Sequence, residues 1–141
     1  MPAIPHLQEP LRDGVVVLRP YAERDIPEIL IAYQDSPTMH EALGERRPPS
    51  GAELGRAAEE AEAARQAGHS FALTILAPGS DDCCGQVRVR HVDWDARTAE
   101  LDVWVAPQAR NRGFARSAVR LATDWLGKNC GLEATCLASG A

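Results

Sequence analysis

No apolar run in this chain approaches the ~18 residues that a membrane-spanning helix needs. The opening, Met1 to Pro10, has three prolines and no basic stretch ahead of an apolar one, so no secretory leader is expected and a cytoplasmic address follows by default. Positive charge is short: 15 Lys and Arg against 20 Asp and Glu leave a net charge of −5. Such a molecule has no overall field for nucleic acid or an anionic membrane, and any anion site must be a local basic patch. Cys83, Cys84, Cys130 and Cys136 show no C-x-x-C spacing, and none of the four histidines pairs with them at ligand spacing. No metal site is expected, and the thiols read as reduced core or strand residues. Absent too are G-x-x-x-x-G-K-[ST], G-x-G-x-x-G after a strand, and the G-x-S-x-G nucleophile turn.

What is present suits one globular domain, residues 1–141, with 45% apolar and 25% charged residues. After a turn at Asp13-Gly14, Val15 to Leu18 reads as a strand. Asp25-x-x-Glu28 has the form of a capping box, and Ile26, Ile29, Leu30 and Tyr33 then repeat at helical spacing up to Pro37. A second capping box, Ser50 with Glu53, opens an alanine-rich helix that stops at Gly68. Its alanine face is thin, so it must pack closely or move. Phe71 to Leu76 is a strand. Val87, Val89 and Val92 alternate with Arg88, Arg90 and Asp93, which places both arginines on a solvated strand face. A turn at Asp95–Thr98 leads into a second alternating run, Leu101, Val103 and Val105 against Glu100, Asp102 and Trp104. The pair is an antiparallel hairpin. Phe114 to Leu126 carries a broad apolar stripe and is the clearest helix, closed by Gly127 or Gly131. Leu132 to Leu137 is a final strand, parallel to its predecessor through a right-handed crossover. The class is α/β (α+β): a mixed, mostly antiparallel sheet flanked by helices.

The chemistry lies between the hairpin and that helix, in Gln108-Ala109-Arg110-Asn111-Arg112-Gly113-Phe114-Ala115. The first amides of a helix lack intrahelical partners, and the dipole there favours negative charge. From Gln108 to Arg120 there are four arginines, Arg110, Arg112, Arg116 and Arg120, and no acid. They oppose the helix dipole, a conflict that a bound polyanion removes. The alternative is a solvated basic face.

Arg110-Asn111-Arg112-Gly113-Phe114-Ala115 resembles the R/Q-x-x-G-x-G/A motif of the GNAT superfamily of N-acetyltransferases. Ala99–Pro107 is similar to the strand leading into it, as is the upstream Gly85-Gln86-Val87, and Leu18-Arg19-Pro20 is similar to the start of the branch that includes ribosomal-protein alanine acetyltransferases. The resemblance covers nearly the whole chain. It implies acetyl-CoA as cofactor, with its pyrophosphate on the Arg110–Ala115 loop and Arg116 beside it, and its pantetheine arm along Val103, Trp104 and Val105. An N–H near Val105 then polarises the thioester carbonyl. It further implies direct attack by a neutral primary amine, of a small molecule or a protein N-terminus, with a base to take its proton. Glu100 and Asp102 are the candidates, their alternatives being a structural acceptor and a solvated edge residue. Trp104 either walls the acceptor site or simply packs. Cys136 is not expected as an acyl carrier.

Complete relatives continue beyond the strand at Leu132–Leu137 with a helix and a hairpin that often carries a tyrosine acid, whereas the two tyrosines here are Tyr21 and Tyr33. The expectation is an enzyme completed by a longer parent or by a second subunit, a homodimer being the simplest case. A non-catalytic acyl-CoA-binding module and a structural or interaction domain are the alternatives. Protein N-termini, aminoglycosides, polyamines and amino acids all remain open as acceptors.

Overall fold

Asp13 decides where the first hairpin turns. Its Oδ1 accepts the amides of Val15 (2.9 Å) and Val16 (3.0 Å) and holds both in the turn between β1 (Leu11–Arg12) and β2 (Val17–Pro20). The strand expected at Val15–Leu18 therefore begins two residues later, and the two-residue β1 is too short to leave a periodic signal. The computed structural model describes residues 2–140.

A short 3-10 turn, Glu23–Asp25, precedes α1 (Ile26–Asp35), with Pro27 in the first turn. The expected capping box at Asp25 does not form. The Asp25 carboxylate is buried and serves the interior instead, accepting two bonds from Arg19 (2.7 and 2.9 Å), the Thr74 hydroxyl (2.6 Å) and the Ala22 amide (3.1 Å). Four hydrogen bonds from three partners outcompete the solvated cap. A one-turn helix, α2 (Met39–Ala42), follows and was not legible in so short a span. The box at Ser50 does form: Glu53 N–H donates to Ser50 Oγ (3.1 Å) and Ser50 N–H to Glu53 Oε1 (3.2 Å), opening α3 (Gly51–Gln66). No residue of α3 is buried.

β3 (Phe71–Leu76), β4 (Gly85–Asp93) and β5 (Thr98–Val105) continue the sheet, antiparallel throughout, with an irregularity between Arg90 and Asp93. α4 (Phe114–Cys130) ends at Gly131, which adopts φ 66°, so Gly127 lies inside the helix. β6 (Glu133–Gly140) then pairs parallel to β5, beginning one residue later and ending three residues later than expected. The sheet order is β1-β2-β3-β4-β5-β6.

The two faces bury different clusters. One packs Leu18, Leu73, Val87, Leu101 and Val103 against Phe114, Ala118, Ala122 and Leu126 of α4. The other packs Trp104 and Ala106 against Ile29 and Tyr33 of α1, Met39 of α2 and Leu43 just after it. The predicted alternation along β5 thus holds, Leu101, Val103 and Val105 facing α4 and Trp104 facing α1. Among the described residues no helix is long and apolar enough to cross a membrane, and no three His, Cys, Asp or Glu side chains group as a metal site.

Candidate functional site

After β5 a 3-10 turn, Pro107–Ala109, redirects the chain, and the loop to α4 needs two left-handed residues, Asn111 (φ 66°) and Gly113 (φ 78°). The Gly113 carbonyl accepts the Ser117 amide (3.1 Å). The amides of Phe114, Ala115 and Arg116 therefore precede the first intrahelical bond and face out of the helix end. Nothing lies within 4 Å of where a Gly113 side chain would begin, so the loop leaves room for a group above the backbone. Arg112, Arg116 and Arg120 are exposed or line the surface, and among the described residues none forms an ion pair. An open groove of about 410 Å³ runs from this helix end between α4 and the sheet, lined among others by Val103, Ala115, Arg116, Arg120, Asp124 and Ser139. Free amides, unpaired guanidinium groups and an adjoining groove fit a pyrophosphate with an attached chain.

Arg110 departs from this cluster. Its side chain turns inward, Nε donating to Val105 O (2.9 Å) and an Nη to Ser36 Oγ (3.1 Å) and Gly140 O (3.0 Å). It ties the ends of β5 and β6 to the segment after α1, so its charge is not offered at the loop surface. The strand edge also departs from expectation. Asp102, Val103 and Trp104 are register partners of Ala138, Ser139 and Gly140, and β4 occupies the other side. In this conformation β5 has no free edge from Asp102 to Trp104 for a cofactor arm.

On the α1 face, Arg88 and Asp102 sit opposite one another in register. Arg88 binds the Asp102 carboxylate through Nε (2.6 Å) and Nη2 (3.1 Å), and its Nη1 reaches Glu45 (3.3 Å). The Tyr33 hydroxyl donates to the other Glu45 oxygen (2.7 Å). The side chains of Arg88 and Asp102 are 12% and 10% exposed, which corrects the expectation of a solvated face. α1 and the segment around Glu45 cover that side, and hairpin periodicity does not say which face is covered. Opposite charges at paired positions were the available signal. Glu100 lies apart, 44% exposed, with Oε2 2.6 Å from His91 Nδ1. The Trp104 side chain is buried, its Nε1 donating to Gln86 (3.1 Å) and its ring 5.9 Å from that of Tyr33, so it packs.

Burial pushes the Tyr21 hydroxyl up to about 12, and it donates to Leu54 O (2.9 Å). Burial raises Tyr33 as well, with the Glu45 bond acting in the same direction against the opposing charge of Arg88. Burial likewise raises all four thiols, Cys83 to about 12, so none is an activated thiolate. A second cavity, about 610 Å³, lies under α3, lined among others by Tyr21, Glu45, Leu54, Gln86 and Arg88.

No curated protein matches the sequence. Among solved structures, an acetyltransferase from Salmonella typhimurium described as modifying the N-terminal serine of ribosomal protein L7/L12 superposes with a TM-score of 0.75 at 12% identity, over 88% of this chain and 71% of that one. A probable acetyltransferase gives 0.77 at 17% identity, over 94% and 75%. Spermidine N-acetyltransferase from Vibrio cholerae, in complex with CoA and spermine, gives 0.71 at 19% identity, over 85% and 68%. At these identities the likeness establishes the fold. A family model, the acetyltransferase (GNAT) domain, matches residues 16–139. With a match of that extent enclosing the strand, the arginine-rich loop and α4, the chain belongs to the GNAT acetyltransferase family.

Proposed function

We propose that this acetyltransferase moves the acetyl group of acetyl-CoA to a primary amine by direct attack within a ternary complex. The observation that carries the reading is the loop into α4, where the outward amides of Phe114, Ala115 and Arg116 and the guanidinium groups of Arg112 and Arg116 meet an open groove that reaches Val103 of β5 and Ser139 of β6. The pyrophosphate takes the amides from Asn111 through Arg112, Gly113 and Phe114 to Ala115, with Arg116 adding charge, while the Arg110 amide is donated to Pro107 O (3.4 Å). The arm runs toward Val103, Trp104 and Val105, a position that Ala138–Gly140 hold in this conformation. When bound, the cofactor supplies the acetyl group as an activated thioester. The amine nitrogen forms a bond to the acetyl carbon as the carbon–sulfur bond breaks and coenzyme A leaves as a thiolate, and the proton lost by the nitrogen is balanced by the one the thiolate takes up.

Glu100 is the better base. Asp102 is clamped by Arg88, whereas Glu100 is half exposed and linked to one titratable neighbour, His91. Asp102 then acts by fixing Arg88 and Glu45 around the acceptor. Glu100→Gln should lower turnover severalfold at neutral pH while coenzyme A affinity, read by calorimetry, stays as it was. If turnover remains within about twofold of wild type across roughly pH 6–9, the base is another group or a water. The acceptor itself is accessible to a thiol-release assay with a panel of peptide N-termini, polyamines, aminoglycosides and amino acids. Release with no member of the panel, from a chain that binds acetyl-CoA, favours a non-catalytic binding module.

The outer edge of β6 has no sheet partner among the described residues, and Leu137 there is 62% exposed. An open edge is a template for another strand, so a two-fold dimer formed at β6 is part of the proposal. Light scattering should give the mass of a dimer, and a monodisperse monomer that turns over acetyl-CoA refutes it. A cytoplasmic setting is part of the same proposal, since reducing compartments keep cysteines as the free thiols found here.

A further inference from the structure

The pairing of β4 with β5 slips once. Arg88, Val89 and Arg90 pair one to one with Asp102, Leu101 and Glu100, and the next register pair is Asp93 with Thr98. His91 and Val92 therefore stand against Ala99 alone, as a one-residue bulge, with His91 in the left-handed region at φ 50°. Regular pairing would point His91 to the side of Val89, which is fully buried in the cluster under α4. The bulge lets Val92 pack on that cluster instead and brings the imidazole out beside the carboxylates of β5, 76% exposed. Bulges recur next to active sites because they re-aim a side chain in this way. Here the change falls on the partner of Glu100. The residue opposite Glu100 is Arg90, yet its Nη1 leans to Asp102 Oδ2 (3.6 Å). Glu100 Oε2 instead meets His91 Nδ1 at 2.6 Å. The other charged groups on these strands are engaged or set apart. Asp102 is held by Arg88 and Arg90, and Asp93 accepts the Ala96 amide (2.9 Å). On β6, Glu133 lies opposite Thr98, and the register partner of Glu100 is the uncharged Thr135. A carboxylate in line to face a permanent guanidinium thus faces the one type of side chain whose ordinary charge change falls near neutral pH.

We propose that His91 is a positioning residue for acetyl transfer, its neutral imidazole holding Glu100 so that the carboxylate can take the proton of the attacking amine. The inference rests on the reading of Glu100 as the base and adds its partner. In the neutral ring Nδ1–H donates to Oε2, which fixes the carboxylate and leaves Oε1 open. The amine proton goes to Oε1, directly or through one water. Between turnovers it passes to solvent, from which the departing thiolate takes its own. A cation in the position of the ring weakens a carboxylate as a base. Arg90 on Glu100 would do so at every pH. His91 does so only when its ring takes up a second proton, so the pair works while the imidazole is neutral and is damped when it is charged.

The test compares two replacements in the full chain, with acetyl-CoA and the amine that the thiol-release panel shows to turn over fastest. His91→Asn keeps an N–H donor, carries no charge and tolerates the left-handed backbone. His91→Arg puts a permanent cation beside Glu100. Coenzyme A affinity, read by calorimetry, reports that each is folded. His91→Asn should turn over at least ~5-fold faster than His91→Arg at neutral pH. The comparison of wild type with His91→Asn needs no added cation: their turnover ratio should fall between about pH 8 and pH 6, as the wild-type ring becomes charged. A residue that only braces the bulge gives a constant ratio, and the ionisation of the acceptor cancels in it. In the chain without cofactor, ¹⁵N spectra should show His91 carrying its proton on Nδ1 and losing that preference in Glu100→Ala. Equal turnover of the Asn and Arg proteins, a flat ratio, or a ring protonated on Nε2 overturns the role of His91 alone, provided Glu100→Gln is slowed. Glu100→Gln at wild-type turnover, or no transfer by wild type to any amine of the panel, overturns the base reading and this proposal together.

Discussion

Gly113→Asp should reduce the affinity for coenzyme A by at least ~10-fold, about 1.4 kcal/mol, in a protein that still folds. Two features make the variant informative. Gly113 is left-handed (φ 78°), a conformation that Asp adopts at a cost of about 1 kcal/mol. No atom lies within 4 Å of the position its Cβ would take, so the fold tolerates the side chain. What the carboxylate does change is the mouth of the α4 N-terminus, where it meets the outward amides itself and repels a second anion. Gly113→Ala, which adds the methyl without the charge, separates the two effects and should lose less. Unchanged coenzyme A affinity in a folded Gly113→Asp protein removes the pyrophosphate from this loop.

Asp25→Asn should cost about 3 kcal/mol of stability, a fall of roughly 10 °C in melting temperature for a domain of this size. Arg19 and Asp25 form a bidentate pair whose side chains are 10% and 1% exposed. Removing one charge strands the other where water does not reach it, and Arg19 Nε is already a buried donor without a hydrogen bond. Asp81, at 3.6 Å from Arg19 Nε, is largely exposed and is a poor substitute. Burial pushes the Asp25 carboxyl up, but the Arg19, Thr74 and Ala22 bonds more than reverse this and hold it below its ordinary value. A lowered carboxyl favours the folded state above the unfolded pKa of ~3.9 and loses that contribution as pH falls through the folded value. Wild type and Asp25→Asn should therefore converge in melting temperature on acidification below about pH 4. A constant gap between them down to pH 2 means that the charge of Asp25 is not what stabilises the wild type.

The parts of the molecule legible in the sequence were those whose periodicity reports burial directly. Val87 and Val89, then Leu101, Val103 and Val105, repeat at two, and Ala118, Ala122 and Leu126 at four, because each set faces one cluster. The loop at Gly113 was legible for another reason: arginines beside a helix start, with no acid among them, are anomalous unless something anionic is near. The losses came where a side chain serves distant partners. Asp25 looked like a cap because sequence shows Glu28 three residues on, and not Arg19 and Thr74 folded over it. Arg88 looked solvated because nothing local announces that α1 will cover it with Tyr33. Arg110 shared a motif with Arg112 and yet points the other way, since the carbonyls of Val105 and Gly140 lie behind it. The last strand was cut short at Leu137 because Ala-Ser-Gly has no strand signature of its own.

The α3 helix stands over its cavity with none of its 16 residues buried, in contrast to α4, which commits five to the interior. An element attached this lightly is free to diverge. Substitutions along its cavity-facing alanines, Ala57, Ala58, Ala61 and Ala64, alter the shape and polarity of a space of about 610 Å³ while leaving the sheet's packing untouched. The sheet and α4 can be inherited as a fixed chassis, and one helix left free to reshape the space beneath it. That division separates the evolution of the cavity from the evolution of foldedness.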